Sequence, residues 1–156
     1  MNIFLNKIYN SIFNEAFDIH NQAHRQKMQY SIYLLQEIGV PVNYIDDYCF
    51  FWMKNGPVSI DLQTDMCDCS NIPSCHIELS QDLMDAIEKI KTMIGAQKYY
   101  EVKDWMKCLI YIHYIYKYES PREFQFDFVI KRLSERAPYF ENKELNIIAF
   151  NLIVNL

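Results

Sequence analysis

Four soft donors crowd one short stretch, Cys67-Asp-Cys69-Ser-Asn-Ile-Pro-Ser-Cys75-His76. Zinc favours thiolate and imidazole, so Cys67, Cys69, Cys75 and His76 could saturate a tetrahedral structural site. The spacing argues against it. Structural zinc sites favour two-residue gaps, whereas here one residue separates the first pair and none separates Cys75 from His76. The plainer reading is a loop over residues 67–78 that happens to hold thiols, in a chain with no cofactor. Just upstream, Asp61, Asp65 and Asp68 recur at i, i+4 and i+7 and would line one face of a helix. That stripe suits a basic partner, because complementary charge speeds and orients encounter. Acid–base work would want a partnered histidine, which the stripe lacks. Most surface aspartates are merely solvated.

Nucleophilic chemistry has less behind it. Cys108 and His113 are five apart on one predicted helix, so their side chains diverge by well over a quarter turn. Core packing accounts for Cys108. His20 and His24 could share a helix face but lack a third ligand. No Walker loop, dinucleotide fingerprint, nucleophile elbow or His-Glu-x-x-His helix is present.

The elements that must position these residues are mainly helical. Leu5, Ile8, Tyr9, Ile12, Phe13 and Ala16 mark a first amphipathic helix in an N-terminal extension over 1–22. A second helix runs from about His24 to Ile38, where Gly39 and Pro41 signal a stop. Leu83, Ala86, Ile87, Ile90, Met93 and Ile94 form the cleanest stripe, with Ser80 as N-cap. The segment 102–118 is apolar on most sides, which predicts a central helix with Lys103, Lys107 and Lys117 facing water. Ser120-Pro-Arg-Glu123 reads as a capping box that opens a helix to about Arg136. A last helix follows Asn142, with Leu145, Ile148, Ala149 and Leu152 inward. Between the helices, Tyr48-Cys-Phe-Phe-Trp-Met-Lys-Asn-Gly-Pro-Val58 is too short and aromatic for a helix. It predicts an extended element near 48–53, a corner at Gly56-Pro57 and a helix from about Val58. Phe50 and Trp52 would alternate into the core, with Phe51 and Met53 facing elsewhere. The fold class is therefore mainly α, in one domain over 1–156.

Composition bounds the rest. In 156 residues, 51% are hydrophobic and 22% charged, enough to build a core. The net charge of −5 weighs against nonspecific nucleic-acid binding, which needs a positive field. No stretch of about 18 apolar residues predicts a membrane span. No secretion signal is visible, and five irregularly spaced cysteines suit a reducing cytoplasm.

The arrangement resembles the Panacea, or SocA-like, antitoxin domain and the YwgA-like proteins. The resemblance rests on Lys27-Met28 and Tyr33-Leu-Leu35 in an early helix, and on Trp52 to Ser59 at the corner that follows. It extends to the Trp105–Tyr118 helix and to Arg132-Leu-Ser-Glu-Arg-Ala-Pro-Tyr-Phe140 before a final helix. It covers most of the chain from about residue 24, leaving out the N-terminal helix and the cysteine loop. It implies a helical, non-catalytic domain that neutralises or delivers a partner protein in a prokaryotic or phage toxin or defence setting. The expected contact surface is Trp52, Lys54, Gly56, Pro57, Val58, Asp61 and Asp65. The alternatives are a winged-helix-like DNA-binding regulator, with Arg25, Lys27 and Lys54 as a small basic patch, and a metal- or thiol-dependent enzyme using the cysteine loop.

Overall fold

The structure is a computed structural model and describes residues 3–40, 48–69, 77–123 and 125–156. The fold is mainly helical, with seven α-helices and one two-stranded antiparallel sheet among the described residues. The elements are α1 (Ile3–Phe13), α2 (Gln22–Ile38), β1 (Phe51–Met53), β2 (Gly56–Val58), α3 (Ile60–Asp68), α4 (Gln81–Ile94), α5 (Val102–Tyr114), α6 (Gln125–Arg136) and α7 (Lys143–Val154). Two compact units divide the chain, Met1–Met93 and Ile94–Leu156.

In the first unit α1 is core rather than extension: Leu5, Ile8, Tyr9 and Ile12 are all buried. It stops earlier than its apolar stripe suggests, because Asn14 takes a left-handed φ of 53°. Asparagine tolerates that conformation better than most residues. The chain then turns through Glu15, a hub between α1 and α2. Glu15 Oε1 accepts from the Tyr9 hydroxyl at 2.8 Å and pairs with the Lys27 ammonium. His24 Nε2 lies 3.7 Å from the same oxygen. Lys27 also sits over the Phe13 ring, 4.5 Å from its centre. The ammonium beside it holds the Glu15 carboxyl below its usual range. Burial, and then Glu15 itself, push the Tyr9 phenol well up.

Helix α2 opens on Asn21, whose side chain accepts from Ala23 N and His24 N. It closes on Gly39 at φ 89°, with Gly39 N–H donating to Gln36 O at 3.1 Å and Val40 N–H to Leu35 O at 3.3 Å. That pair of bonds is the Schellman arrangement, which a left-handed residue makes available. Ser80 caps α4 through a bond from Leu83 N–H, at 3.3 Å.

The second unit is built on α5. From Trp105 to His113 its side chains are buried except Lys107, and α6 and α7 pack on it. Lys107 lies over the Tyr139 ring, 4.9 Å from its centre, so even this cation is spent on packing. The helix predicted to reach residue 118 ends at Tyr114 and continues as a π-helical turn, Ile115–Glu119. Ser120 ends that turn rather than capping the next helix. Its N–H donates to Ile115 O at 2.9 Å and its hydroxyl to Tyr116 O at 2.6 Å. The serine satisfies carbonyls behind it, so the capping box is not formed and α6 starts at Gln125. Arg136 at the end of α6 donates to Glu119 Oε1 at 2.7 Å. In α7 the inward face is Leu145, Asn146, Ala149 and Ile153, with Ile148 turned outward. Asn146 belongs inside because its Nδ2 donates to Phe140 O at 3.0 Å.

Candidate protein-binding surface

Helix α2 holds the residues of the corner by polar clasps. Gln36 and Gln29 are seven apart, hence on one face of the helix. Gln36 Nε2 donates to Tyr48 O and Tyr48 N–H donates to Gln36 Oε1, both at 3.0 Å. Gln29 treats Ser59 the same way, at 2.9 Å to its carbonyl and 3.0 Å from its N–H. Each amide side chain copies the donor and acceptor of a neighbouring strand. Between the clasps, the Tyr33 ring meets Phe50 edge-on with centres 5.3 Å apart, and the Tyr30 hydroxyl donates to Asn55 O at 3.3 Å. Ser59 also caps α3 through a bond from Leu62 N–H, at 3.3 Å.

The corner so held is a hairpin, and the helix after it starts at Ile60 rather than near Val58. Pro57 sits in β2 opposite Trp52, which a two-stranded ribbon tolerates because both of its strands are edges. The left-handed step falls on Gly56, at φ 104°, just after the turn residues Lys54 and Asn55. Partners across the ribbon share a face, so Trp52 and Pro57 point one way and Phe51, Met53 and Val58 the other. The first face is turned inward, with Pro57 buried and Trp52 half-buried. The second is open: Phe51 is 60% exposed and Met53 51%, and Ile60 at the start of α3 is 67% exposed.

These positions revise the expected contact residues. Gly56 and Pro57 are buried and shape the corner rather than offering surface. Lys54 is exposed at the turn, and Val58 is half-buried. Asp65 is half-buried and accepts from the Tyr48 hydroxyl at 2.6 Å. Asp61 and Asp68 remain exposed, seven apart on α3. Phe51, Met53 and Ile60 are exposed apolar side chains that the expected contact set left out. Strand alternation exposes the first two once Trp52 is known to face inward.

Of the four residues in the zinc reading, Cys67 and Cys69 are described. Residues 67–69 continue α3 instead of starting a loop, so the side chains of Cys67 and Cys69 point apart, one exposed and one buried. Cys69 Sγ lies 3.4 Å from Asp65 O, and its own carbonyl accepts from Asn6 Nδ2 at 2.9 Å. Burial and the nearby Asp65 and Asp68 charges push its thiol up to about 12. Cys75 and His76 lie outside the described residues, as do residues 70–76 as a whole. Among the described residues no three His, Cys, Asp or Glu side chains gather to hold a metal. In the second unit, burial pushes Cys108 to about 12, and its Sγ lies 3.8 Å from Asn146 Oδ1. The thiolate a nucleophile needs is strongly disfavoured there. His113 on the same helix is buried.

No helix among the described residues is long and apolar enough to cross a membrane. Compared with family models, curated proteins and solved structures, the chain matches none.

Proposed function

We propose that this chain is a non-catalytic protein-interaction module of the cytoplasm that grips a basic partner protein and occludes its working surface. The observation that carries the reading is the open apolar face of the hairpin, Phe51 and Met53 continued by Ile60, on a backbone clamped by Gln29 and Gln36. Large apolar side chains at the centre of a rigid patch are what binding hot spots require. Asp61 and Asp68 lie on the adjoining helix. The unit that carries them has twelve Asp and Glu against six Lys and Arg, a net charge of −6. That charge favours a basic partner and disfavours a nucleic acid. Cysteines exposed at 49 and 67 suit a reducing compartment. The resemblance to Panacea-type antitoxin domains supports a toxin or effector as the partner, neutralised by binding in a prokaryotic or phage setting.

The test is a calorimetric titration against any small basic protein encoded beside this chain's gene. Phe51→Ser with Met53→Ser should weaken association by more than tenfold, the scale of one hot-spot residue. Asp61→Lys should chiefly slow the on-rate and reduce its salt dependence. Full affinity in both variants would remove this surface from consideration.

A further inference from the structure

A second feature of the same unit adjoins the hairpin and shares Val58 with its open face. A cavity of about 190 Å³ lies between the start of α2, the hairpin and the first turns of α3. Its polar lining comes from Arg25, Gln22, Gln26, Gln63 and Asn55, and Pro57 and Val58 supply apolar wall. No carboxylate lines it, in a unit where acidic side chains outnumber basic ones two to one.

Arg25 is half-buried, and its Nη1 donates to Ile19 O at 2.6 Å. Among the described residues it pairs with no acid, unlike Lys27, Lys91, Arg132 and Arg136, which all have carboxylate partners. A guanidinium carries five N–H donors in a fixed fork, so one bond to a carbonyl leaves most of the fork unspent. Side-chain amides around it can donate to an anion without opposing its charge. Gln29, also on the wall, is already committed to Ser59 and acts as scaffold. The volume exceeds what one water needs but falls below the roughly 300–1,000 Å³ of a drug-sized site.

We propose that this cavity is a binding site for a carboxylate on a short stem, with the Arg25 guanidinium as its anchor and neighbouring glutamine amides fixing its orientation. A free short-chain acid and the C-terminal end of a peptide carry the same chemistry. The experiment should therefore include both.

Side-chain N–H resonances of Arg25, Gln22, Gln26 and Gln63 would be followed by NMR as the intact chain is titrated. The probes are propionate, acetyl-trialanine with a free C-terminus, and the same tripeptide as its C-terminal amide. Saturable shifts at Arg25 and the glutamines are expected with the acids, and none with the amide. Equal affinity for both acids would assign the site to free short acids; tighter binding of the tripeptide would assign it to a chain terminus. Arg25→Gln should weaken the acid by about tenfold or more, as expected for losing a charge-assisted bond. Gln63→Leu, which leaves Arg25 and its tie to Ile19 in place, should weaken it by a smaller factor and guards against a folding artefact. Binding of the amide as tight as that of the acid, or no saturable shift with any probe, would overturn the proposal.

Discussion

In the first unit, polar side chains tie together stretches of backbone far apart in the chain, whereas in the second the ties are mostly shorter and packing around a single helix dominates. Gln29 and Gln36 meet the chain at Ser59 and Tyr48, Glu15 gathers Tyr9, Lys27 and His24, and Asp65 receives Tyr48. Among the described residues of 94–156 such ties span less of the chain: Gln97 clasps the Tyr100 backbone at 3.0 and 2.7 Å, Asn146 Nδ2 donates to Phe140 O and Arg136 to Glu119. There Tyr100 meets Phe140 edge-on at 5.6 Å between centres, Tyr139 meets Phe140 at 4.6 Å, and Tyr100 stacks on Trp105 at 6.5 Å. Charge divides the same way, −6 in the first unit and +1 in the second, where nine Lys and Arg face eight Asp and Glu. Directional bonds specify one geometry, and the hairpin needs that if it is to present a rigid contact face. Apolar burial is non-directional and tolerates more repacking.

The contrast predicts that the two units fail differently when side chains are truncated. The largest loss is expected from Trp105→Ala, which empties a fully buried site on α5. It should cost about 3–5 kcal/mol of unfolding free energy, measured in denaturant. Gln29→Ala comes next, at about 2–3 kcal/mol, because it strands the buried N–H of Ser59 and weakens the bonding of its carbonyl. Gln36→Ala should cost about 1 kcal/mol, since water can reach the partly buried Tyr48 backbone. If Gln29→Ala proved harmless, the hairpin would be held by packing after all and the contrast would dissolve.

The Glu15 hub sharpens the comparison through pH. Its folded pKa lies below the ordinary 4.5, chiefly because of Lys27, so the unfolded chain binds more protons in that range. The stabilisation is therefore complete above about 4.5 and drains away as pH falls through the lower folded value. Glu15→Gln should flatten the acid limb of a plot of unfolding midpoint against pH. The smallest effect is chemical rather than energetic. In a Cys75→Ser background, a thiol reagent at neutral pH should modify Cys49 and Cys67 rapidly. Cys69 and Cys108, with thiols near 12, should react only on unfolding.

Helix positions were legible in the sequence wherever apolar spacing was regular, as in α4 with its Ser80 cap and α7 with its Asn142 cap. Boundaries slipped where a polar residue had two competing partners. The Ser120 hydroxyl donates back to Tyr116 O rather than accepting a backbone N–H of the next helix, and Asp65 accepts from Tyr48 rather than facing only solvent. The hairpin was read only as an extended run and a corner, because Gly56-Pro57 suits either a helix start or an edge strand. The register that decides between them is set by Gln29 and Gln36, which lie more than ten residues away in the chain. Two glutamines seven apart on a helix otherwise lined by Met28, Ile32 and Leu35 were the available signal. A polar residue inside an oily stripe seldom stays there without a backbone to hold.

The turn after α5 has a further implication. A bond from Ser120 N–H back to Ile115 O spans five residues where an α-helix spans four, so the coil there carries one amino acid more than its pitch needs. Chain length has slack at that point and nowhere along Val102–Tyr114. Removing one residue would let the coil tighten to ordinary pitch, whereas the same excision a turn earlier would twist Trp105 and its neighbours out of the interior.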